Sequence, residues 1–188
     1  LFDNKVILGT RARKTHTKSF NAFKSIDFPE IAIVRDRRVR YYIEEKVSDD
    51  GPDFYTSLDP KVFVLRLVPG MNPDIFSFLK EHYDGLVIES FGVGGIPCYD
   101  NEDFIDAVAD WIACGKALVM TTQVPHEGSD MSVYMVGQVI KKKYRLMEAY
   151  DMTTEAIVTK LMWILAQTKN PDEVRELFYR PVQNDLNI

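Results

Sequence analysis

The chain has 188 residues, of which 46% are hydrophobic and 27% are charged, and its formal net charge is −5. A chain of this length buries enough surface for one well-packed core, or for one domain and part of another. Its acidic balance argues against nucleic acid or an anionic membrane as the main partner. No apolar run approaches the ~20 residues that a membrane-spanning helix needs, and the composition is that of an ordinary globular protein.

The only cysteines are Cys98 and Cys114. A core of this size does not need a disulfide, so we expect reduced thiols and a cytoplasmic location. The histidines, His16, His82 and His126, stand far apart, and none has a second His or Cys at the spacing of metal ligands. We therefore predict no metal site and no cofactor.

The first residues predict a β-hairpin whose first strand is very short. Asp3-Asn4 is a good turn pair, and the apolar residues 6–8 follow it. A strand of two residues has little to stabilise it, so we infer that the chain is a piece of a longer protein. A basic patch that contains Arg11, Arg13 and Lys14 comes next, and residues 20–29 have the composition of a linker.

Residues 31–34 and 39–43 flank a charged turn and predict a second hairpin. Residues 44–60 are polar and contain the breaker pair Gly51-Pro52. We therefore expect residues 1–25 to be the tail of one domain, residues 26–60 to be a linker that contains the hairpin, and residues 61–188 to be a second domain.

From residue 62 onward, strand-like and helix-like patterns alternate. Strands are predicted at 62–68, 86–90 and 117–120. The first helix is predicted after Asn72, which we expect to be its N-cap, with Pro73 at its first position. Three further helices are predicted from about residue 101, over 132–140 and over 153–166. The last helix is predicted after the N-cap Asn170. This alternation predicts an α/β domain with a small, doubly wound, flavodoxin-like parallel sheet that helices cover on both faces.

The second of these strands runs directly into a glycine-rich loop, residues 91–97. Ligands bind beyond the carboxyl ends of strands in open α/β sheets, where glycines allow a close backbone approach. The loop is therefore a candidate binding site, although an ordinary chain turn is the alternative. Gly92, Gly94 and Gly95 do not have the spacing of a dinucleotide fingerprint, because Pro97 stands where its third glycine belongs.

Lys14 is the titratable residue that most suggests chemistry. Arg11 and Arg13 are close to it in sequence, and neighbouring cations disfavour the charged form of an ammonium group. Such a lysine can accept a proton from a hydroxyl nucleophile. A solvated basic turn is the alternative interpretation.

Two further segments contain chemically capable residues. Residues 126–130 include the types found in a hydrolase triad, but side chains this close in sequence rarely converge. Thr121, Thr122 and Gln123 follow the third strand, where they either bind a small polar ligand or cap the strand end; both interpretations stay open.

Five segments, residues 9–17, 20–25, 89–97, 122–131 and 151–161, occur together in the order found in one family. They include Arg11-Ala12-Arg13-Lys14-Thr15-His16-Thr17, the glycine loop and Asp151-Met152-Thr153-Thr154. With these segments, nearly the whole chain resembles the C-terminal half of bacterial L-asparaginases, and most closely that of the cytoplasmic type I group.

The resemblance implies hydrolysis of L-asparagine to L-aspartate and ammonia through a threonine nucleophile that lies in an N-terminal domain. It implies that Lys14 is the catalytic lysine of the Arg-x-x-Lys-Thr-x-Thr segment. It also implies that the C-terminal domain builds a homodimer or homotetramer and faces a neighbouring subunit's site. The substrate-binding candidates there are Gly94, Gly95 and Met135. Many relatives have Asn in place of Gly95, and the periplasmic ones have a substrate-contacting Glu in place of Met135.

Our leading hypothesis is therefore an asparaginase C-terminal domain that carries the tail of the catalytic domain and is inactive by itself, because the nucleophile lies upstream. One alternative is the asparaginase-like subunit of a tRNA-dependent amidotransferase; the acidic charge and the lack of an appended basic region favour the free enzyme. Another is a non-catalytic small-ligand-binding α/β domain. Thr-Gly-Gly-Thr and Gly-Thr-Asp-Thr segments upstream of Leu1 would decide between these classes.

Overall fold

The computed structural model describes residues 1–44, 51–97, 103–133, 144 and 146–187. Its N-terminal region contains two small antiparallel sheets. Strands β1 (Lys5–Val6), β4 (Ala32–Arg35) and β5 (Arg38–Tyr41) form the first sheet, and β2 (Ala12–Lys14) and β3 (Phe23–Ser25) form a two-stranded ribbon.

Both predicted turns of this region are confirmed. Asp3 and Asn4 have φ angles of 47° and 60°, and Asp36 and Arg37 have φ angles of 51° and 59°. Two central residues with positive φ are what a two-residue hairpin loop requires, because this turn matches the twist of the flanking strands. The second turn joins β4 to β5 as expected.

The linker-like assignment of residues 20–29 is wrong in one respect, because β3 lies within them. β3 pairs with β2, and Lys14 stands opposite Phe23. The strand has three residues, two of them exposed, so it lacks the alternation of buried and exposed positions that makes longer strands recognisable.

Residues 62 onward form the predicted α/β fold with a parallel sheet. Strands β6 (Val62–Arg66), β7 (Gly85–Ser90), β8 (Ala117–Thr122) and β9 (Met147–Glu148) lie side by side in that order. β9 was not predicted, because two residues carry no periodic signal. A flavodoxin-like sheet reverses its strand order at one point, whereas the four described strands follow one another in chain order.

Helices cover both faces of this sheet, as predicted. Helices α1 (Ile75–His82) and α2 (Asp103–Ala113) pack on one face, and α3 (Thr154–Leu165) and α4 (Pro171–Tyr179) pack on the other. Successive strand residues point to opposite faces, so two cores form. One contains Leu86, Ile88, Leu118, Met120, Phe76 and Trp111; the other contains Val87, Val119, Met147, Ile157, Leu161 and Phe178.

The helix starts agree only partly with the expected caps. Asn170 caps α4, because its Oδ1 accepts hydrogen bonds from the backbone N–H groups of Asp172 and Glu173 at 2.9 and 3.3 Å. The prediction for α1 is wrong: Asn72 Oδ1 accepts from the Asp74 N–H in a preceding turn, and the helix begins at Ile75. A short amide side chain readily forms such a local turn in competition with the helix.

Two other predictions fall on residues outside those described: the start of a helix near residue 101 and most of the helix over 132–140. Within the described ranges, every helix is too short or too polar to cross a lipid bilayer.

The segment before β6 is attached to the α/β domain through Asp59. Its backbone N–H donates to the Met162 carbonyl at 2.9 Å, and its carboxylate forms an ion pair with Lys169, which lies between α3 and α4. Lys169 also lies 3.1 Å from the Asp84 carboxylate. This cluster therefore fixes the entry into the parallel sheet.

The pKa values of both partners reflect this contact. Burial alone raises the pKa of Asp59, but hydrogen bonds from Lys169 and the Lys61 backbone and the nearby lysine charges outweigh it, so the pKa lies below its ordinary value. Burial lowers the pKa of Lys169, whereas its hydrogen bonds to Asp59 and Asp84 and their charges raise the pKa above its ordinary value.

We predict that Asp59→Asn destabilises the chain in a pH-dependent way. Because the folded pKa of Asp59 is depressed, its carboxylate stabilises the fold above the unfolded pKa, and this contribution disappears as the pH falls through the folded pKa. The loss at neutral pH should be about 1 kcal/mol or less, since Lys169 is half exposed. Urea unfolding from neutral pH to about pH 3 measures it. A pH-independent difference, or the same pH-dependent difference in a Lys169→Met background, would contradict the prediction.

Candidate functional site

The predicted glycine loop lies at the carboxyl edge of the parallel sheet and is closed by its own backbone. The Phe91 N–H donates to the Gly95 carbonyl at 3.0 Å, and the Gly95 N–H donates to the Phe91 carbonyl at 2.7 Å. Gly92 and Gly94 have φ angles of 50° and 145°, which side-chain-bearing residues adopt at a cost. Two reciprocal backbone hydrogen bonds thus close the loop between Phe91 and Gly95.

A second loop, residues 123–131, packs directly against the first. The Asp130 N–H donates to the Val93 carbonyl at 2.7 Å. A Cβ atom placed on Gly94 would lie 3.1 Å from Met131 Cγ, which is a tight contact. The backbone of Gly94 therefore closely approaches the second loop, and the glycine has a packing reason that is independent of substrate binding.

The polar side chains at the end of β8 donate hydrogen bonds to backbone carbonyls at or just beyond the ends of neighbouring strands. Thr122 Oγ1 donates to the Gly92 carbonyl. Gln123 Nε2 donates to the carbonyls of Leu67 and Glu89 at 2.6 and 3.1 Å. These contacts favour the strand-capping interpretation of Thr122 and Gln123 over ligand binding. Thr121 lies inside the strand and is buried.

The triad-like residues 126–130 do not assemble as a local triad. His126 Nδ1 lies 3.2 Å from Asp27 Oδ1 in the N-terminal region. Ser129 is buried, and its N–H donates to the Tyr150 carbonyl at 2.9 Å. The imidazole therefore pairs with a carboxylate outside the loop and links the loop to the other part of the chain.

Two buried carboxylates at this edge were missed by sequence reasoning. Glu89 Oε1 accepts a 2.7 Å hydrogen bond from Thr154 Oγ1 at the start of α3. Glu148 is fully buried, and its Oε1 accepts from the Met131 N–H at 2.7 Å. A glutamate inside the apolar strand 85–90 was the available signal for the first. Glu89 thus bonds to a side chain of α3, and Glu148 bonds to the backbone of the second loop.

The second loop also depends on a close contact at Gly128. The residue has a φ of +67°, and a Cβ atom there would lie 2.6 Å from the Tyr150 carbonyl oxygen and 2.9 Å from Asp151 Cα. Backbone atoms cannot move aside as a flexible side chain can, so only glycine fits between this loop and the turn before α3.

Lys14 is the last residue of β2 and is exposed. The ribbon continues one residue further, because the Thr15 N–H donates to the Ala22 carbonyl at 2.7 Å. The prediction that Arg11 belongs to a solvated basic patch with Lys14 is wrong. This guanidinium is fully buried, with Nη1 2.9 Å from Asp151 Oδ2. Burial with an acidic partner was not foreseeable, because the two residues are 140 positions apart.

The structure thus separates the predicted site residues. Gly94 and Gly95 lie at the carboxyl edge of the sheet, whereas Lys14 lies on the N-terminal ribbon. Met135 lies outside the described residues, and substrate binding by these residues stays a prediction. In the part of the chain that the structure describes, no three His, Cys, Asp or Glu side chains group as metal ligands would.

Comparison with known proteins accounts for both parts of the chain. Residues 61–178 match the sequence model described as the glutaminase/asparaginase C-terminal domain, and residues 1–47 match the asparaginase N-terminal domain. The chain belongs to the asparaginase/glutaminase family. The N-terminal match extends past residue 25, so it includes the β4–β5 hairpin that we had assigned to the linker.

Two kinds of curated proteins are similar to this chain: L-asparaginases and components of a tRNA-dependent amidotransferase. An L-asparaginase of Thermococcus kodakarensis is 37% identical over 185 residues, which are 98% of this chain and 56% of the relative. A glutamyl-tRNA(Gln) amidotransferase component of Thermofilum pendens is 36% identical over 174 residues, which are 90% of this chain and 38% of the relative. The chain therefore spans about half the length, or less, of these relatives.

Solved structures of the family have the same fold. The thermostable L-asparaginase from Thermococcus kodakarensis superposes with a TM-score of 0.91 at 36% identity over 99% of this chain and 56% of that one. L-asparaginase I from Vibrio cholerae superposes with a TM-score of 0.84 at 23% identity over 100% and 57%. The second similarity concerns the fold alone.

We predict that Gly128→Ala lowers the free energy of unfolding by about 3 kcal/mol, because it adds a backbone clash to a strained φ. Gly70→Ala is the matched control, since Gly70 has a φ of +76° but nothing within 4 Å of the added Cβ. The control should lose only about 1–2 kcal/mol, the cost of the left-handed conformation. Equal losses in urea unfolding would show that the close approach to Tyr150 is unimportant.

Proposed function

We propose that the full-length protein is an L-asparaginase that hydrolyses L-asparagine to L-aspartate and ammonia. The observation that carries this proposal is the similarity to the Thermococcus kodakarensis L-asparaginase, which extends over 98% of the chain at 37% identity. The superposition on that enzyme with a TM-score of 0.91 over 99% of this chain supports it further.

In this proposal the upstream half supplies the nucleophilic threonine and Lys14 acts as its proton acceptor. The hydroxyl oxygen attacks the side-chain amide carbon, and its proton passes to the Lys14 amine and then to the departing ammonia. Water hydrolyses the resulting ester and releases aspartate. Lys14 is exposed at the end of β2, so its side chain is accessible to the rest of the catalytic domain to which residues 1–25 belong in this proposal.

The proposed division of labour follows the two family matches. Residues 1–25 belong to the catalytic domain, residues 26–60 lead across to the second domain, and residues 61–188 form the C-terminal domain. The carboxyl-edge loops with Gly94, Gly95 and Met135 face a neighbouring subunit's site. The matches over 1–47 and 61–178 support this organisation in outline.

We further propose a cytoplasmic protein that acts without a cofactor. The described cysteine, Cys114, is free and exposed, which suits a reducing compartment.

A component of a tRNA-dependent amidotransferase is the second candidate, because a protein of that description is 36% identical to this chain over 174 residues. The L-asparaginase aligns with 98% of this chain and the amidotransferase relative with 90%, and the net charge of the chain is −5. Both observations favour the free enzyme. Ammonia release from free asparagine and from glutamine, measured on the full-length protein alone, separates the two functions.

We predict that Lys14→Met in the full-length protein lowers kcat by about 10²–10⁴-fold, the usual contribution of a general base. KM should change little, because the proton transfer acts in the transition state. Lys24→Met is the matched control: Lys24 is an exposed lysine on the paired strand β3 and should stay within about twofold of the wild type. A near-wild-type kcat in Lys14→Met would contradict the catalytic role and show that Lys14 is a solvated surface residue.

We also predict that the chain self-associates as a homodimer or homotetramer, since symmetric oligomers are common and a standard interface gives at least micromolar affinity. Val124 is an apolar residue of the second loop that is 46% exposed. Val124→Glu should weaken association, whereas Phe78→Glu, at an exposed position on α1, should not. Sedimentation at about 100 μM tests this, and wild-type chain found only as monomer would refute it.

A further inference from the structure

We infer that Arg11 and Asp151 are a positioning pair through which the C-terminal domain orients the catalytic Lys14. This inference rests on the proposed function of Lys14. It assigns a catalytic contribution to a contact that joins the N-terminal ribbon to the turn before α3, far along the chain.

Arg11 is held on several sides at once. Its Nη1 donates to the Asp151 carbonyl and lies 2.9 Å from Asp151 Oδ2. Its Nε donates to the Asn184 carbonyl at 2.5 Å, and the guanidinium lies 5.5 Å from the centre of the Phe28 ring. A fork-shaped, planar group with contacts along two edges has a fixed orientation.

Asp151 is equally fixed on its own side. Its two carboxylate oxygens accept hydrogen bonds from the backbone N–H and the side-chain amide of Asn187 at 3.0 and 2.7 Å. The neighbouring Thr153 caps α3 through Ala156. The carboxylate that pairs with Arg11 is therefore held by contacts within the C-terminal part of the chain.

Thr10 extends this attachment by one residue. Its hydroxyl donates to the Gln183 carbonyl at 2.8 Å, and its carbonyl accepts from Thr153 Oγ1 at 3.0 Å. The base of β2 is thus attached both to the turn before α3 and to the segment that follows α4.

Lys14 lies three residues beyond this anchor, on the ribbon that β2 forms with β3. The base of this ribbon is closed by the Ile26 N–H, which donates to the Arg11 carbonyl at 2.9 Å. Three strand residues span about 10 Å, so a tilt of about 6° at Arg11 displaces the amine by about 1 Å, a misplacement that can cost about 10²-fold in rate. Because burial and pairing restrict such a tilt, the pair preserves catalytic geometry.

Asp151→Asn in the full-length protein tests this assignment, because it retains the size of the side chain but removes the charge. We expect kcat for asparagine to fall at least tenfold, while KM changes less than about threefold. Val108→Ala is the control: it removes volume from the core on the opposite face of the sheet, where Val108 is fully buried on α2. It should lower the melting temperature without lowering kcat. A wild-type kcat in Asp151→Asn, or an equal loss in both variants at matched melting temperature, overturns the inference.

Hydrogen exchange in the same proteins measures directly how well the backbone hydrogen bonds of the ribbon are protected. In Asp151→Asn, the amides of Thr15 and Ile26 should exchange at least tenfold faster than in the wild type, while the amides of β7 stay unchanged; Val108→Ala should not produce this pattern. Unchanged exchange at Thr15 and Ile26 also overturns the inference. If wild-type protein releases no ammonia, the proposed function fails, and the exchange result still decides whether the pair orients the ribbon.

Discussion

A buried guanidinium holds the two parts of this chain together. Removing a charge from water is expensive, and a buried ion pair is stable only when hydrogen bonds satisfy both partners. Arg11 meets this condition at Nε and Nη1, which bond to the Asn184 carbonyl and to Asp151, whereas its Nη2 has no hydrogen-bond partner among the described residues. Loss of one partner of such a pair typically costs about 3–5 kcal/mol, so the contact specifies one relative arrangement of the ribbon and the α/β domain.

The strand order explains why the end of the chain reaches this contact. With β6, β7 and β8 adjacent in chain order, the intervening helices α1 and α2 pack on the same face of the sheet. The opposite face would otherwise expose Val87 and Val119. Helices α3 and α4 cover it, and the segment after α4 then lies close to residues 10 and 11. The C-terminal part of the chain therefore both covers the second face of the sheet and attaches the ribbon to the α/β domain.

The carboxyl edge of the sheet is ordered by polar side chains that bond to backbone groups. Gln123 donates to two strand-end carbonyls, and Glu148 accepts from the Met131 N–H. These bonds satisfy groups that would be costly to leave unpaired at a buried sheet edge. Gly94 and Gly128 then allow the loops to approach their neighbours closely. A rigid edge of this kind is suited to presenting backbone groups to a neighbouring subunit's site, as we propose.

The sequence by itself determined the features that depend on residues close together in the chain. The Asp3-Asn4 turn, the Asn170 cap and the apolar strands at 62–66 and 85–90 are local, because their hydrogen bonds and periodicity lie within a few residues. The motif around Lys14 likewise indicated the family. Tertiary structure alone decided that β3 and β9 are strands, since both are too short to carry a pattern. It also decided that Arg11 is buried against Asp151 and that Gln123 caps two strands. In each of these cases the partner lies more than 30 residues away, or the strand exists only through its neighbour, so the contact forms only when the fold has placed both groups.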